Sequence, residues 1–481
     1  MGAITVSRSS SMRGMGAALA VVLMAALVGI GTIAFGPLIV LAIVGLLGLA
    51  FIVARPEYGI AMFLSTFLMT YPEALQGSGF LTINNVLGGV FLVLLTYKVY
   101  REEDWWFLWR PELHLLTFVV VVYWLSAQIN GPDTELVGLL GGSAALEHTS
   151  GTFRTFVTRV LFTLFFINFI RAPAHVRMIY ILAIAFMVVS AFTGMYGVLK
   201  GGGMYGYRAT TEAAVISSAF NPNRLAMFSI IAIGGLWYFM QSLRSVWLRL
   251  LIIPTVVVLA LVVFMTASRS GLLGLGVAVV TILIDQRVSL NTIVTLALGG
   301  LLLLVAIYQF VPEKSLERLT TLPGTAQAET GLGAGSLERR QYTWQIAWEL
   351  VRESPFLGVG MGNWEVARYL KDPTQSTAAP HSSYLLVLVE GGIFCLAGFL
   401  LVLWQTWQNL RVCDRHMRDA TFPLAHLLWI VKSCQVSFVV LIFFSIFADL
   451  WQLVILFWLV GLGIVMRRMV EQAVFEQSLA A

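Results

Sequence analysis

Residues 15–54 read MGAALAVVLMAALVGIGTIAFGPLIVLAIVGLLGLAFIVA, a run without a charged side chain. About 20 apolar residues cross the ~30 Å hydrocarbon core of a bilayer. The run therefore divides into two membrane helices, with Gly36-Pro37 as the turn between them. It is roughly twice as long as the apolar part of a cleaved signal peptide. With Arg8 and Arg13 before it, the expectation is an uncleaved, cytoplasmic N-terminus.

The rest of the chain extends this reading. Of its 481 residues, 58% are hydrophobic and 11% charged, where a soluble chain carries roughly 25% charged residues. The expected fold class is all-α: a polytopic integral membrane protein. Cys395, Cys413 and Cys434 lie in or beside apolar runs, with no CxxC or Cys/His cluster near them, so neither a disulfide framework nor a structural zinc is expected. No carboxylate cluster suggests any other metal, no cofactor is implied, and no nucleic-acid partner is expected.

Further apolar segments lie near 59–72, 81–98, 113–129, 155–170, 177–199, 223–241, 248–267, 271–285, 291–311, 383–409, 424–448 and 450–467. With the first two they make about twelve to fourteen spans; those at 59–72, 155–170 and 271–285 are the weakest. Residues 1–311 form an N-terminal set of helices, 312–382 a long loop, and 383–481 a C-terminal set. If the N-terminus is inside, each cytoplasmic connection is basic, as the positive-inside rule requires: Arg55; Lys98, Arg101 and Arg110; Arg171 and Arg177; Arg244 and Arg249; Arg287; Arg411, Arg415 and Arg418; Arg467 and Arg468. The C-terminus is then cytoplasmic too, and the connections 130–154, 200–222 and 312–382 face outward.

The sorting rule would not place arginines on that outer side, yet Arg154, Arg208, Arg224, Arg269, Arg318, Arg339, Arg340, Arg352 and Arg368 fall there. Arg269 is wedged between two apolar runs in Thr266-Ala267-Ser268-Arg269-Ser270-Gly271. It is either a turn residue snorkelling to the surface or a guanidinium placed for bidentate capture of phosphate. In Phe220-Asn221-Pro222-Asn223-Arg224 the Asn-Pro pair favours a turn, with Asn223 as a possible cap of the helix that starts there.

Within the long loop, Ser336–Glu353 is expected to be a helix. Leu337, Gln341, Trp344, Trp348 and Val351 form one largely apolar stripe, which would lie on the outer leaflet with Arg340 near the lipid phosphates. Pro355 should end the helix. Gly358-Val359-Gly360-Met361-Gly362 lacks nucleotide-loop spacing; its glycines permit a tight turn or a close backbone approach to a ligand. His381 stands at a helix mouth, where it can cap or act as a general base. Tyr384 follows on the same face. Glu390 lies on the opposite face about 13 Å deeper on a regular helix. As an acid inside a span it is a functional candidate, or it pins a close helix contact at Gly391-Gly392.

Taken in order, Arg208, the Asn221-Pro222-Asn223 turn, Thr266 to Gly271, Arg340 with Trp344, Gly358-Val359-Gly360, and His381 to Glu390 resemble the O-antigen ligase/polymerase superfamily of bacterial membrane glycosyltransferases. The resemblance covers residues 200–395. It implies a metal-independent, inverting transfer of glycan from undecaprenyl diphosphate to an acceptor hydroxyl at the periplasmic face of the inner membrane. The acceptor would be lipid A core or a growing glycan; a protein hydroxyl shares the same donor chemistry. His381 would serve the acceptor, and Arg208, Arg269 and Arg340 the diphosphate, with Arg224, Asn223, Arg339, Tyr384 and Glu390 in support. The competing expectation is a lipid-linked glycan flippase or other polysaccharide transporter, which would place cationic groups along a cavity within the spans.

Overall fold

The computed structural model describes residues 37–68, 82–139, 143–201, 208–210, 221–286, 290–320, 336–373 and 380–480. The first expected span, Arg287 and residues 321–335 of the long loop lie outside these residues, and of Arg339 only the backbone is described.

The described residues contain the helices α1 (Pro37–Ala54), α2 (Pro56–Leu68), α3 (Ile83–Glu102), α4 (Pro111–Asn130), α5 (Thr134–Leu139), α6 (Ser143–Phe169), α7 (Pro173–Leu199), α8 (Pro222–Ser242), α9 (Val246–Met265), α10 (Arg269–Gln286), α11 (Leu290–Phe310), α12 (Glu313–Thr320), α13 (Ser336–Glu353), α14 (Trp364–Lys371), α15 (Ser383–Met417), α16 (Leu428–Phe444) and α17 (Val454–Ala480). Hydrocarbon offers no partner for backbone polar groups, and a helix satisfies them internally. Proline opens α1, α2, α4, α7 and α8, where its missing N–H would have had no helical acceptor.

Among the described residues nine helices are long and apolar enough to cross a membrane, or ten if α11 and α12, bent by 117°, are one span. The chain is a multi-pass membrane protein. The weak segments 155–170 and 271–285 belong to full-length helices, Gly151–Phe169 and Arg269–Gln286. The weak 59–72 falls on α2, whose 13 residues reach only about 20 Å. α17 carries Arg467, Arg468 and Glu471 in its middle, which takes it outside the same test.

The chain divides into two compact units, residues 1–60 and 61–481. In the first, Arg55 pairs with Glu57 at 3.7 Å and Phe51 packs on Tyr58. In the second, α8 is buried among α7, α9, α10 and α16, while α15 packs on α4, α16 and α17. Gly234 and Gly235 admit Val436 and Ile184 against the α8 backbone, the small-residue contact that membrane helices favour.

The two ends of this second unit differ in charge chemistry. At one end basic residues meet carboxylates: Arg171 with Glu102 and Asp104, Arg110 and Arg467 with Glu471, Lys432 and Arg418 with Asp285 and Asp414. Arg110 and Arg468 also lie over the Trp106 ring. The opposite end gathers the starts of α8, α10, α13 and α15, and most of the residues singled out above.

Candidate active site

The site is built around the tight connection from α9 to α10. Ala267 there adopts a left-handed φ of +49°, strained for a residue with a Cβ. Ser268 Oγ accepts from Gly271 N at 2.9 Å, capping the first turn of α10, and donates to Asn223 Oδ1 at 2.7 Å. Arg208 Nε donates to Thr266 O at 2.9 Å, beside Ala209 N on Met265 O at 2.8 Å. Arg208 is therefore buried, and its Nε braces this connection.

The cap of α8 falls elsewhere than the sequence suggested. Asn221, not Asn223, accepts from the Asn223 backbone N–H at 2.8 Å, and Pro222 occupies the first helical position. Proline must sit where no N–H is required, which shifts the cap one residue before it. The Asn223 side chain is thereby released to tie α8 to Ser268. Arg224, next along, donates from Nη2 to Asp449 O at 3.3 Å.

Arg269 sends Nε and Nη2 to the Arg318 carbonyl at 3.3 and 3.2 Å, which joins the start of α10 to α12. Arg340, one turn before Trp344 on α13, lies within electrostatic reach of Asp449, Arg318 and Arg269; burial works against its cation, as do the two arginines, while Asp449 favours it. The helix α13 has the expected bounds, but its protein-facing side is Thr343, Ile346, Ala347, Leu350 and Val351. Trp344 and Trp348 stay exposed, 38% and 49%. Among Gln341, Trp344, Trp348 and Val351 of the expected stripe, whose side chains are described, Val351 alone turns inward, because α13 packs on α15 and α14. Trp344 still holds the site: its Nε1 donates to Pro380 O at 2.8 Å.

His381 follows with φ +51°, a conformation that costs about 1–3 kcal/mol away from glycine and is held by clamps on both sides. Ser382 N donates to Asp449 Oδ1 at 3.1 Å, Ser383 N to Ser445 O at 2.8 Å, and Ser383 Oγ to Ala448 O at 2.8 Å. The imidazole Nδ1 stands 3.8 Å from Asp449 Oδ2. Burial, and then the charge of Arg340, pulls this imidazole down to about 4. Burial pushes the Asp449 carboxyl up to about 6, against the opposing pull of Arg224, the His381 and Ser382 N–H groups, and Arg340. At neutral pH a neutral imidazole thus faces a carboxylate.

Asp449 was not singled out from the sequence. It falls between two abutting apolar runs in Ala448-Asp449-Leu450-Trp451, and an acid at such a place was the available signal.

Tyr384 and Glu390 are engaged elsewhere. Tyr384 donates to Ile442 O at 3.1 Å and its ring meets Phe399. Glu390 Oε1 accepts from Gly362 N at 2.9 Å, and the reason lies in a break in α15. Gly392 has φ +65°, ψ −168°, so Ile393 N turns to Pro355 O at 2.9 Å. The Val389 and Glu390 carbonyls are left without helical donors, and Val359 N and Gly360 N fill them at 2.9 and 2.8 Å. A Cβ on Gly358 would strike Val389 O, and one on Gly392 the Phe356 carbonyl. The close approach of Gly358 and Gly360 here is to the chain's own broken helix, where the sequence suggested a ligand.

The arrangement combines a neutral histidine oriented toward a carboxylate with Arg224 of α8 and Arg340 of α13 beside them, and Arg269 of α10 within electrostatic reach of Arg340. Such a site suits removal of a proton from a hydroxyl beside a phosphate-bearing ligand. Residues 254–400 match the model of the O-antigen ligase family. No curated protein matches the chain. The match runs from Pro254 within α9 to the middle of α15, with Arg269, Arg340 and His381 inside it, and for this part of the chain it supports the O-antigen ligase/polymerase superfamily, whose general activity is glycosyl transfer.

Proposed function

We propose that the protein transfers a glycan from undecaprenyl diphosphate to an acceptor hydroxyl, at the periplasmic face of the bacterial inner membrane. The observation that carries this reading is the meeting of His381 and Asp449 with Arg224 and Arg340 at one end of the helices. The opposite end, where the cations are ion-paired, would be cytoplasmic, in keeping with the positive-inside rule.

In the proposed step the acceptor oxygen attacks the anomeric carbon from the face opposite the diphosphate, so configuration inverts. The bond between that carbon and the phosphate oxygen breaks, and its electron pair leaves on undecaprenyl diphosphate. The acceptor proton passes to His381 Nε2. An imidazole held down to about 4 is a weak base. It takes the proton late, once bonding to carbon has made the acceptor oxygen acidic. Nδ1–H directed at Asp449 leaves Nε2 free to accept, and the carboxylate stabilises the imidazolium as it forms. Arg269 and Arg340 would receive the charge that grows on the leaving phosphate, while Arg208 and Asn223 keep the α9–α10 connection in place.

The test is a gel assay with purified protein, undecaprenyl-diphosphate-linked glycan, and lipid A core either present or absent. New glycolipid only with core means a ligase, and lengthening of the lipid-linked glycan without core means a polymerase. Absence of both products overturns the reading.

A further inference from the structure

α6 carries a cation that the mechanism above leaves unused. Arg159 lies within the spanning segment Gly151–Phe169. Ten residues from Phe169, it stands about 15 Å from that end, roughly half way through the hydrocarbon core. An arginine at such depth is costly and signals function by default.

Its neighbours on the helix show where it points. Phe156, three residues before, packs on the rings of Trp451 and Phe457 at 5.0 and 5.7 Å. Thr163, four residues after, donates to Phe457 O at 3.3 Å. Arg159 shares this face, which looks toward the connection that carries Asp449. Its Nε is sealed from solvent and has no hydrogen-bond partner among the described residues, while the residue as a whole stays partly accessible. Among those residues the charged group within its electrostatic reach is Arg224. Arg224 is the third residue of α8; two guanidinium groups within electrostatic reach of one another repel, and an anion between them would turn that repulsion into attraction.

We propose that Arg159, together with Arg224, holds the phosphate of a lipid diphosphate that is esterified to the polyprenyl chain. This rests on the donor assignment made above. Depth carries it: Arg269 and Arg340 stand at the starts of α10 and α13, whereas Arg159 stands inside the spanning segment, where the phosphate nearest the lipid tail must lie. The chemistry then separates the two pairs. When the bond to the anomeric carbon breaks, the electron pair goes to the sugar-side phosphate, and the lipid-side phosphate keeps its ester and its charge. A residue on the lipid-side phosphate therefore binds ground state and transition state alike, and its loss raises KM while leaving kcat nearly unchanged.

The experiment uses the full chain in nanodiscs. Binding of farnesyl monophosphate, which has only the lipid-side phosphate, is compared with binding of farnesyl diphosphate for the wild type, Arg159→Gln, Arg159→Lys and Arg269→Gln; donor KM and kcat are measured in parallel. Arg159→Gln is expected to weaken the monophosphate about ten- to a hundredfold, the scale of a lost charge-assisted contact, and to raise donor KM similarly. Arg159→Lys should fall between, and Arg269→Gln should retain monophosphate binding. Wild-type monophosphate affinity in both Arg159 variants, or a fall in kcat without a rise in KM, would overturn the assignment. Glycan transfer by the wild type reports separately on the donor reading, and its absence would sink that reading instead.

Discussion

The Nδ1 atom of His381 stands 3.8 Å from Oδ2 of Asp449, while the other carboxylate oxygen, Oδ1, accepts from the Ser382 backbone N–H at 3.1 Å. One carboxylate therefore fixes the backbone beside the histidine and faces its ring. Burial pushes that carboxyl up to about 6, which makes its ionisation a control on the site.

Activity should accordingly rise with pH through about 6 and level off at neutrality, because protonating Asp449 removes the charge that stabilises a forming imidazolium. The sign follows from the acid being active when deprotonated; the histidine, held down to about 4, is already neutral throughout this window. Asp449→Asn should lower kcat/KM and abolish the limb near 6. An unchanged pH profile in that variant would separate Asp449 from the chemistry.

His381→Ala should reduce kcat by about 10²–10⁴, the usual contribution of a positioned base, with donor binding retained. Full turnover in this variant would exclude the histidine from proton transfer.

Arg340→Gln should lower kcat by about 10²–10³, as expected for removing one group that stabilises developing charge. It also removes the charge that helps hold the histidine neutral, so the His381 titration should move upward, toward its ordinary range, which is measurable by NMR on labelled histidine.

The bond from Ser268 Oγ to Asn223 Oδ1 predicts coupling between two connections far apart in sequence. Asn223→Ala and Ser268→Ala, alone and combined, should show a coupling energy of about 0.5–3 kcal/mol in a double-mutant cycle of thermal stability. Simple additivity would mean that each acts only within its own turn.

Gly392→Ala places a Cβ against the Phe356 carbonyl in a left-handed conformation. The backbone strain alone costs about 1–3 kcal/mol. A lowered melting temperature in detergent is the expected result, and an unchanged one would show that α15 can straighten at this point.

Membrane helices were legible because apolar length is a one-dimensional property, and the bounds of α13 followed from its amphipathic spacing and the proline beyond it. Which face of α13 turns inward was not legible. It depends on packing against α14 and α15, and a membrane-surface helix is apolar on more than the side that meets protein. The cap of α8 falls on Asn221 instead of Asn223 for a local reason, since Pro222 dictates where the helix can begin. The break at Gly392 depends on hydrogen bonds with residues more than thirty positions earlier, and no local pattern encodes it. Asp449 and Arg159 were hidden within long apolar stretches, where hydropathy averages a single charge away.

Arg208, Arg224 and Asp449 lie outside residues 254–400, the part of the chain matched at family level. That stretch is therefore no portable cassette. Grafted into another set of membrane helices, it would bring Arg269, Arg340 and His381 but neither the carboxylate that faces the histidine ring nor the cation hydrogen-bonded to that acid's own carbonyl. Swaps meant to exchange specificity between relatives of this fold would have to cut beyond the connection between α16 and α17, or supply an equivalent acid from the host.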